Sequence, residues 1–409
     1  MGPGSGGSIL ARAQGKGDAM MASGAGERWI TAARVVAYPR LALLLYVAIA
    51  ALWIGTSRDL IDREGKPIGA DFITFYAAAR LALNGEAAAA YDPDRVFAVE
   101  QQAVPANQGH FPWQYPPTFL LPLLPLGLLP YLAALVVFIG GTLALYLWLI
   151  HSILPDRRAI VPALAFSAVL VNAIGGQNGF LSAALMGGGL LLLDRRPLLA
   201  GALLGLLGYK PQLALLLPFL LLAGGYWRSL AAAAASTLAL AALSAAAFGI
   251  ESWQRFFAHM PVARSYLESG ALPWDKMVSV FAAARLMGAG LTFAYVLHSL
   301  VAATVALLTL LVWRRHGSLA RRVALAVAAS CLLSPFLYDY DLVVLAVPIA
   351  LLVADGLASG WLPGLRTVLV VAWVAPLLGA PLARFAHLPL MPLVLLAIFA
   401  ACYRRATRP

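Results

Sequence analysis

Long apolar runs without charged residues recur along this chain and limit its fold more than any other feature. Residues 131–153 contain no Asp, Glu, Lys or Arg, and about 20 such residues are enough for a helix to cross the hydrocarbon core of a bilayer. Hydrophobic residues make up 62% of the chain, charged residues only 11%, and the mean hydropathy is +0.83. Ordinary soluble domains carry about 25% charged residues. The sequence therefore predicts an all-α polytopic membrane protein.

The apolar runs predict a bundle of about 10 to 12 transmembrane helices. Residues 116–130 are short and broken by prolines, which predicts a re-entrant or interfacial piece. Residues 198–225, interrupted at Gly208-Tyr209-Lys210-Pro211, form either one long span or two half-helices. The expected full spans are 41–56, 131–153, 159–174, 177–193, 229–249, 291–313, 321–337, 342–354, 367–381 and 388–403.

The longest polar interval, residues 58–117, holds eight of the eighteen acidic residues. Since it follows the first span, we expect a large first outer loop over 57–117, and the next polar interval predicts a second outer loop over 251–290. Residues 1–36 are rich in Gly, Ala and Ser and predict a disordered cytoplasmic tail. A single transmembrane domain would then occupy 37–403, followed by a C-terminal cytoplasmic tail at 404–409.

The distribution of basic residues predicts the orientation. One set of connections, with both tails, holds 18 Lys/Arg and 5 Asp/Glu, while the other set holds 11 and 13. Because short cytoplasmic loops are enriched in Lys and Arg, the first set is expected in the cytoplasm. This parity favours two half-helices over 198–225, with Lys210-Pro211 at their tip. The positive net charge thus reflects topology, and no nucleic-acid partner is expected.

Polar motifs converge on the outer side in this topology. They comprise carboxylates, amides, a lysine and several aromatic residues, which suit a substrate with a sugar, a phosphate and a lipid tail. The motifs are Asp71-Phe72 with Tyr76, Tyr91-Asp92-Pro93, Phe111 to Pro117, Gly176-Gln177-Asn178-Gly179, Tyr209-Lys210-Pro211, Trp274-Asp275-Lys276 and Ser334-Pro335 before Tyr338-Asp339-Tyr340-Asp341.

Several of these residues also have a structural interpretation. Asp71 is a candidate N-cap for the helix that follows it, as Asp often is, and Asp341 is favoured as a cap. Lys210 could extend to the lipid headgroups instead of binding a substrate. Gln177 and Asn178 could simply close a tight turn. Arg80 and Arg264 could bind lipid headgroups.

The order of these motifs over roughly residues 41–400 resembles glycosyltransferase family 87. The motifs are Asp-Phe-x-x-x-Tyr, Tyr-Asp-Pro, Tyr-Pro-Pro opening a Pro/Leu run, Gly-Gln-Asn-Gly, Lys-Pro in an apolar hairpin, and Ser-Pro before a Tyr/Asp pair. The resemblance implies a GT-C fold with a large helical first periplasmic loop and a polyprenyl-phosphate-sugar donor. Mannosyltransferases of the family carry histidine after Ser-Pro, where this chain has Tyr338 and Asp339, so its donor or acceptor is expected to differ.

The resemblance implies an inverting hexosyltransferase of a bacterial cytoplasmic membrane, with its active site facing the periplasm. Asp71 matches the acidic base of the first outer loop. The implied partners are membrane lipid, a polyprenyl-phosphate sugar and a glycolipid or glycan acceptor, and no cofactor is expected. Donor phosphate and lipid would contact Lys210, Tyr209, Gln177, Asn178, Tyr338 and Arg264. Sugar and acceptor would contact Tyr76, Arg80, Trp113, Tyr115, Trp274 and Asp339.

A secondary transporter or lipid flippase with an outward-opening polar site is the alternative function. Transporters favour inverted repeats and charges inside spans, whereas the charges here lie in the outer loops and no repeat is evident. The six histidines show no ligand spacing, so no metal site is expected. Cys331 and Cys402 lie in apolar runs, and no disulfide is predicted.

Overall fold

The computed structural model describes residues 30–315 and 317–408. Within these ranges the chain consists of α-helices and 3₁₀ turns, and its β contacts are limited to three isolated bridges. The all-α class predicted from the sequence is confirmed. Residues 1–29 of the expected tail lie outside the described residues, and the first helix begins at Ala32, before the expected boundary at residue 36.

The helices are named in chain order. The first part of the chain contains α1 (Ala32–Thr56), α2 (Phe72–Leu83), α3 (Pro93–Ala103), α4 (Leu120–Gly127), α5 (Tyr131–Ile153), α6 (Ile160–Leu164), α7 (Ser167–Gly175), α8 (Gly179–Leu191), α9 (Pro197–Leu206), α10 (Pro211–Ala214) and α11 (Leu217–Ala223). The remainder contains α12 (Trp227–Phe248), α13 (Ile250–Ser269), α14 (Val280–Leu286), α15 (Leu291–Trp313), α16 (Leu319–Leu333), α17 (Ala346–Ser359), α18 (Leu365–Ala386) and α19 (Met391–Ala406). Short 3₁₀ turns lie at Ala87–Tyr91, Pro117–Phe119, Arg157–Ala159, Leu207–Tyr209, Trp274–Lys276 and Asp339–Leu345.

Six helices of the described residues are long and apolar enough to cross a membrane, and a bent pair, Arg157–Leu164 with Ser167–Gly175, gives up to seven. This is fewer than the sequence predicts, because several expected spans form shorter helices. The 13 residues of α8 reach about 20 Å, less than the roughly 30 Å of a hydrocarbon core. The six are α1, α5, α12, α15, Asp339–Ser359 and α18.

Residues 197–223 form two apolar half-helices separated at Lys210, as the charge parity predicts. Their two ends meet, because the Tyr226 hydroxyl donates a hydrogen bond to Asp194 Oδ1 at 2.9 Å. The segment therefore enters and leaves at the same side of the protein. The expected re-entrant piece at 116–130 contains one short apolar helix, Pro117–Gly127, which is too short to cross a membrane. Residues 128–130 then connect it to α5.

Arginine-rich connections meet at one end of the bundle, here called the basic pole. Arg321 pairs with Asp355 at 3.0 Å, and Arg405 pairs with the same carboxylate. Arg322 donates to the Tyr226 hydroxyl at 3.2 Å, which links the hairpin 197–225 to this end. The basic pole comprises 194–196, 226–228, 314–315, 317–322, 355–366 and 404–408.

The two polar loops meet at the other end of α16, here called the loop pole. Tyr91 of the first loop lies against Phe256 and His259 of α13. Val278, at the end of the second loop, donates its backbone N–H to Leu337 O at 2.9 Å. The loop pole therefore joins both predicted outer loops to the segment that follows Ser334-Pro335.

Candidate active site

Asp71 lies directly before α2, but its side chain forms no capping hydrogen bond to that helix. Its Oδ2 instead accepts a hydrogen bond from Gln177 Nε2 at 3.0 Å. A capping Asp accepts from the backbone of the first helical turn, as Asp92 does from the N–H groups of Asp94 and Arg95. The Asp71 side chain therefore lacks the capping role that was its structural interpretation.

The turn between α7 and α8 holds Gln177 against Asp71. Gly176 closes α7 with φ 65°, and a Cβ at this position would lie 2.6 Å from Phe72 Cβ, so glycine is required there. The Asn172 side chain donates to Gln177 O at 3.0 Å and accepts from Gly179 N–H at 2.8 Å. These bonds fix the backbone of the turn, and the Gln177 amide points at the carboxylate.

A group of aromatic residues packs behind Asp71 and Gln177. The Tyr115 hydroxyl donates to Gln177 Oε1 at 3.4 Å, and the Phe119 ring stacks on Tyr209 with centroids 4.5 Å apart. Trp113 is almost fully buried beside Phe119. These rings form the wall of the site, and the buried Trp113 offers no open face to a sugar.

The second loop and the Ser-Pro segment close the site from the other side. Met277 forms a bridge with Tyr338, and the Tyr338 and Tyr340 rings stack with centroids 5.3 Å apart. Asp339 Oδ1 accepts from Tyr340 N–H at 2.8 Å. Lys276 is exposed at the end of its 3₁₀ turn, and its charge acts on both Asp71 and Asp339.

Burial raises the pKa of Asp71 above its ordinary value, and this effect exceeds the opposing ones. The hydrogen bond from Gln177 lowers the pKa, as do the charges of Lys276, Lys66 and Lys210, in that order. A carboxylate with a raised pKa is a stronger proton acceptor than an exposed one. Asp71 is thus suited to remove a proton from a hydroxyl group.

Lys210, predicted to contact a donor phosphate, lies in the interior. Its side chain is 1% exposed, it pairs with Asp341, and it donates to Asn178 Oδ1 at 2.7 Å. Asp341 also accepts from the Tyr338 backbone N–H at 3.2 Å, so it combines the expected capping role with an ion pair. Tyr209 is buried beside Lys210 and bonds to Ser182.

Four other predicted contact residues are not brought to Asp71, since their polar atoms bond elsewhere. Tyr76 and Arg80 tie α2 to the connection between α4 and α5. Arg264 and Trp274 bond within the second loop. The partners are Leu129 O for Tyr76 (2.9 Å), Gly127 O for Arg80 (3.2 Å), Glu268 for Arg264 (2.7 Å) and Leu267 O for Trp274 (2.7 Å).

Across residues 30–315 and 317–408, no three His, Cys, Asp or Glu residues lie close enough to hold a metal ion. The free thiols of Cys331 and Cys402 are buried in the bundle. The site therefore consists of a carboxylate, an amide, a nearby cation and aromatic side chains.

Two residues at the site were not predicted as site residues. The sequence places Lys276 in a polar loop, but its neighbours in the sequence do not show that this loop folds onto Asp71. For Asp341 the sequence favours capping alone. Its pairing could have been suspected, because a lysine inside an apolar hairpin needs a counter-ion.

The model of glycosyltransferase family 87 matches residues 113–335. The match contains Gln177, Asn178, Lys210 and Lys276, begins after Asp71 and ends before Tyr338. Comparisons with curated proteins and with solved structures give no significant match. Because the matched segment covers more than half of the 409 residues, the chain belongs to glycosyltransferase family 87 and is a membrane glycosyltransferase.

Proposed function

We propose that this glycosyltransferase moves a sugar from a polyprenyl phosphate to a lipid-linked or envelope-glycan acceptor, with Asp71 as general base. The observation that carries the proposal is the position of the Asp71 carboxylate. It is not used as a cap, a glutamine orients it, and it interacts with the charge of Lys276 in the second loop. Its raised pKa matches the chemistry of accepting a proton from a sugar hydroxyl.

The reaction needs a single displacement. The acceptor oxygen forms a bond to the anomeric carbon while its proton passes to Asp71. The bond between the anomeric carbon and the phosphate oxygen breaks, and polyprenyl phosphate departs with the electron pair. Attack opposite the leaving group inverts the anomeric configuration. The donor is already activated, so a base and a cation near the phosphate meet the main requirements.

Lys276 is the cation we assign to the departing phosphate. Its side chain is exposed at the loop pole, whereas the ammonium of Lys210 is buried and paired. Among the lysine charges that act on Asp71, that of Lys276 has the largest effect. An exposed lysine beside the base can contact a phosphate and keep the base ionised. At the same place, Asp339 is the proposed acceptor contact and Tyr338 the proposed donor contact.

The orientation completes the proposal. The basic pole would face the cytoplasm of a bacterial cell, and the loop pole with Asp71 would face the periplasm. The acceptor would then be a glycolipid or glycan at the outer face of the cytoplasmic membrane.

The test is a transfer assay with purified protein in nanodiscs, radiolabelled sugar donors and membrane extract as the source of acceptor. Polyprenyl-phosphate sugars should be used and nucleotide sugars should not. Extract supplied with empty nanodiscs measures transfer by other enzymes. Transfer from a nucleotide sugar alone would contradict the proposed donor class, and a product that retains the donor's anomeric configuration would contradict the single displacement.

A further inference from the structure

Lys210 and Asp341 form an ion pair in the protein interior, where each side chain is only 1% exposed. Lys210 lies at the break between the two half-helices, and Asp341 lies in the 3₁₀ turn Asp339–Leu345. Removing two charges from water is costly, and replacing such a pair with apolar residues is often neutral or stabilising. Stability alone is therefore a weak reason for this pair.

On one side, the ion pair is connected to the carboxylate of Asp71 through the turn that contains Gln177 and Asn178. Lys210 Nζ donates to Asn178 Oδ1 at 2.7 Å. Asn178 directly follows Gln177, whose Nε2 donates to Asp71 Oδ2 at 3.0 Å. Lys210 thus holds the turn that presents the glutamine to the proposed base.

On the other side, Asp341 is bonded to the turn that contains Tyr338 and Asp339, across the site from Gln177. Asp341 Oδ2 accepts from the Tyr338 N–H at 3.2 Å, and the Tyr338 side chain completes a capping box with the same turn. Asp339 lies between these two residues. The ion pair therefore connects the turn that carries Gln177 with the turn that carries Tyr338 and Asp339.

We propose that the Lys210–Asp341 ion pair is a positioning device that holds these two turns in register around Asp71. This role rests on the proposed function, and it differs from direct binding of the donor phosphate. An ammonium group has three N–H donors. Two of those of Lys210 are taken by Asn178 and Asp341, and the ammonium lies against the face of the Tyr340 ring, 5.1 Å from Nζ to the ring centroid. A buried ammonium that is already paired with a carboxylate is poorly placed to bind a phosphate.

The test uses the double variant Lys210→Met/Asp341→Asn, because a single substitution leaves an unpaired buried charge and can prevent folding. Lys210 is also the weakest of the three lysine charges that lower the pKa of Asp71, so its loss raises this pKa less than loss of the Gln177 hydrogen bond does. The variant should lose about 10- to 100-fold in kcat, since misplacement of about 1 Å can cost about 100-fold. The donor KM should stay nearly unchanged.

The pH profile provides a readout that a purely structural role would not change. If Gln177 is displaced, its hydrogen bond no longer lowers the pKa of Asp71, and the acidic limb of kcat/KM should move to higher pH. The other charges that act on Asp71 are those of Lys276 and Lys66, and Asp339 interacts with it too; all three remain in the variant. A higher donor KM with an unmoved acidic limb would overturn positioning in favour of phosphate binding.

Gln177→Leu separates action through Gln177 from an independent effect. If the ion pair acts through this glutamine, adding Gln177→Leu to the double variant should cost much less than it costs in the wild type. Fully additive losses would overturn the proposed connection. Arg321→Met is the matched control, because it removes an ion pair at the far end of α16, about 20 Å along the helix from Ser334. This control should leave kcat and the pH profile unchanged.

Hydrogen exchange tests the same proposal without an activity assay. Amides of 176–179 and 338–341 should exchange faster in the double variant and at the wild-type rate in Arg321→Met. Unchanged protection in both turns would overturn the positioning role. If the wild type used no polyprenyl donor while these amides still responded, the proposed function would fail and the coupling of the turns would stand.

Discussion

Replacing Asp71 with asparagine distinguishes a catalytic base from a helix cap. Asparagine is as good a cap as aspartate and can still face Gln177, but it cannot take a proton from a hydroxyl. Asp71→Asn should therefore fold normally and lose about 10²- to 10⁴-fold in transfer rate. Asp92→Asn is the control, because Asp92 is a cap by geometry, and we expect its rate and melting temperature to stay close to wild type. Transfer by Asp71→Asn at the wild-type rate would exclude this residue, leaving Asp339 and Asp275 to test.

The pH dependence of transfer should report the charges around Asp71. Since the base must be ionised, kcat/KM should fall as pH drops through its raised pKa. Lys276 lowers this pKa, so Lys276→Gln should move the acidic limb to higher pH. Lys66→Gln should move it less, because the effect of Lys66 on Asp71 is smaller. If the acidic limb of kcat/KM lies at the same pH in the wild type and in Lys276→Gln, Lys276 does not act on the base.

The buried side chain of Glu100 should make the stability of the protein depend on pH, separately from catalysis. Burial raises its pKa from 4.5 to about 8, and its Oε1 has no hydrogen-bond partner among the described residues. Between these values the unfolded chain releases the proton and the folded chain keeps it. The free energy of unfolding should therefore fall as pH rises through this window, by up to about 1.4 kcal/mol per pH unit.

Glu100→Gln should reduce that dependence, since a neutral amide has no proton to release, while the raised pKa of Asp71 keeps a part of it. Its melting temperature relative to wild type should be higher at about pH 8 than at about pH 5. Glu86→Gln is the control, because Glu86 is exposed in the same loop. A wild-type melting temperature that does not change across this window would contradict the buried acid at Glu100.

At the scale of elements, the half-helix α9 packs so closely on α12 that glycine is required. A Cβ at Gly205 would lie 1.9 Å from Ser236 Oγ and 2.4 Å from Ala233 O. Gly205→Ala should destabilise the protein by about 1 to 3 kcal/mol or more, because backbone must move. Gly188→Ala in α8, where a Cβ meets nothing within 4 Å, should instead stabilise by up to about 1 kcal/mol. Thermal melting in detergent compares the two, and equal shifts would contradict the close packing.

The sequence predicts helices better than it predicts contacts between them. A single lysine and proline interrupt the apolar run 197–225, which does not by itself show that the chain turns back. The distribution of charges predicts that this hairpin returns to its starting side. Span length was overestimated at α8, because hydropathy does not show where a short helix ends. The partners Lys210 and Asp341 are 131 residues apart, and no periodic pattern reports such a pair. Asp71 and Gln177 were found from their motifs, whereas their hydrogen bond depends on packing that no motif encodes.

For the whole molecule, the arginine-rich and loop-rich ends predict opposite accessibility. The basic pole holds Arg195, Arg196, Arg228, Arg314, Arg315, Arg321, Arg322, Arg366, Arg404, Arg405 and Arg408 against Asp194 and Asp355. Such a bias keeps an end in the cytoplasm. The first polar loop should then face outward with the exposed residues Glu86 and Gln101.

Cysteine labelling in intact cells tests this orientation. A membrane-impermeant thiol reagent should label Glu86→Cys in intact cells and should label Ser318→Cys only after permeabilisation, because both positions are exposed but lie at different poles. The native Cys331 and Cys402 are buried, so the otherwise unchanged protein should give little background and serves as the control. If Ser318→Cys reacted in intact cells while Glu86→Cys did not, the orientation would be reversed. Asp71 would then face the cytoplasm, where nucleotide sugars are available, and the proposed donor would need to be reconsidered.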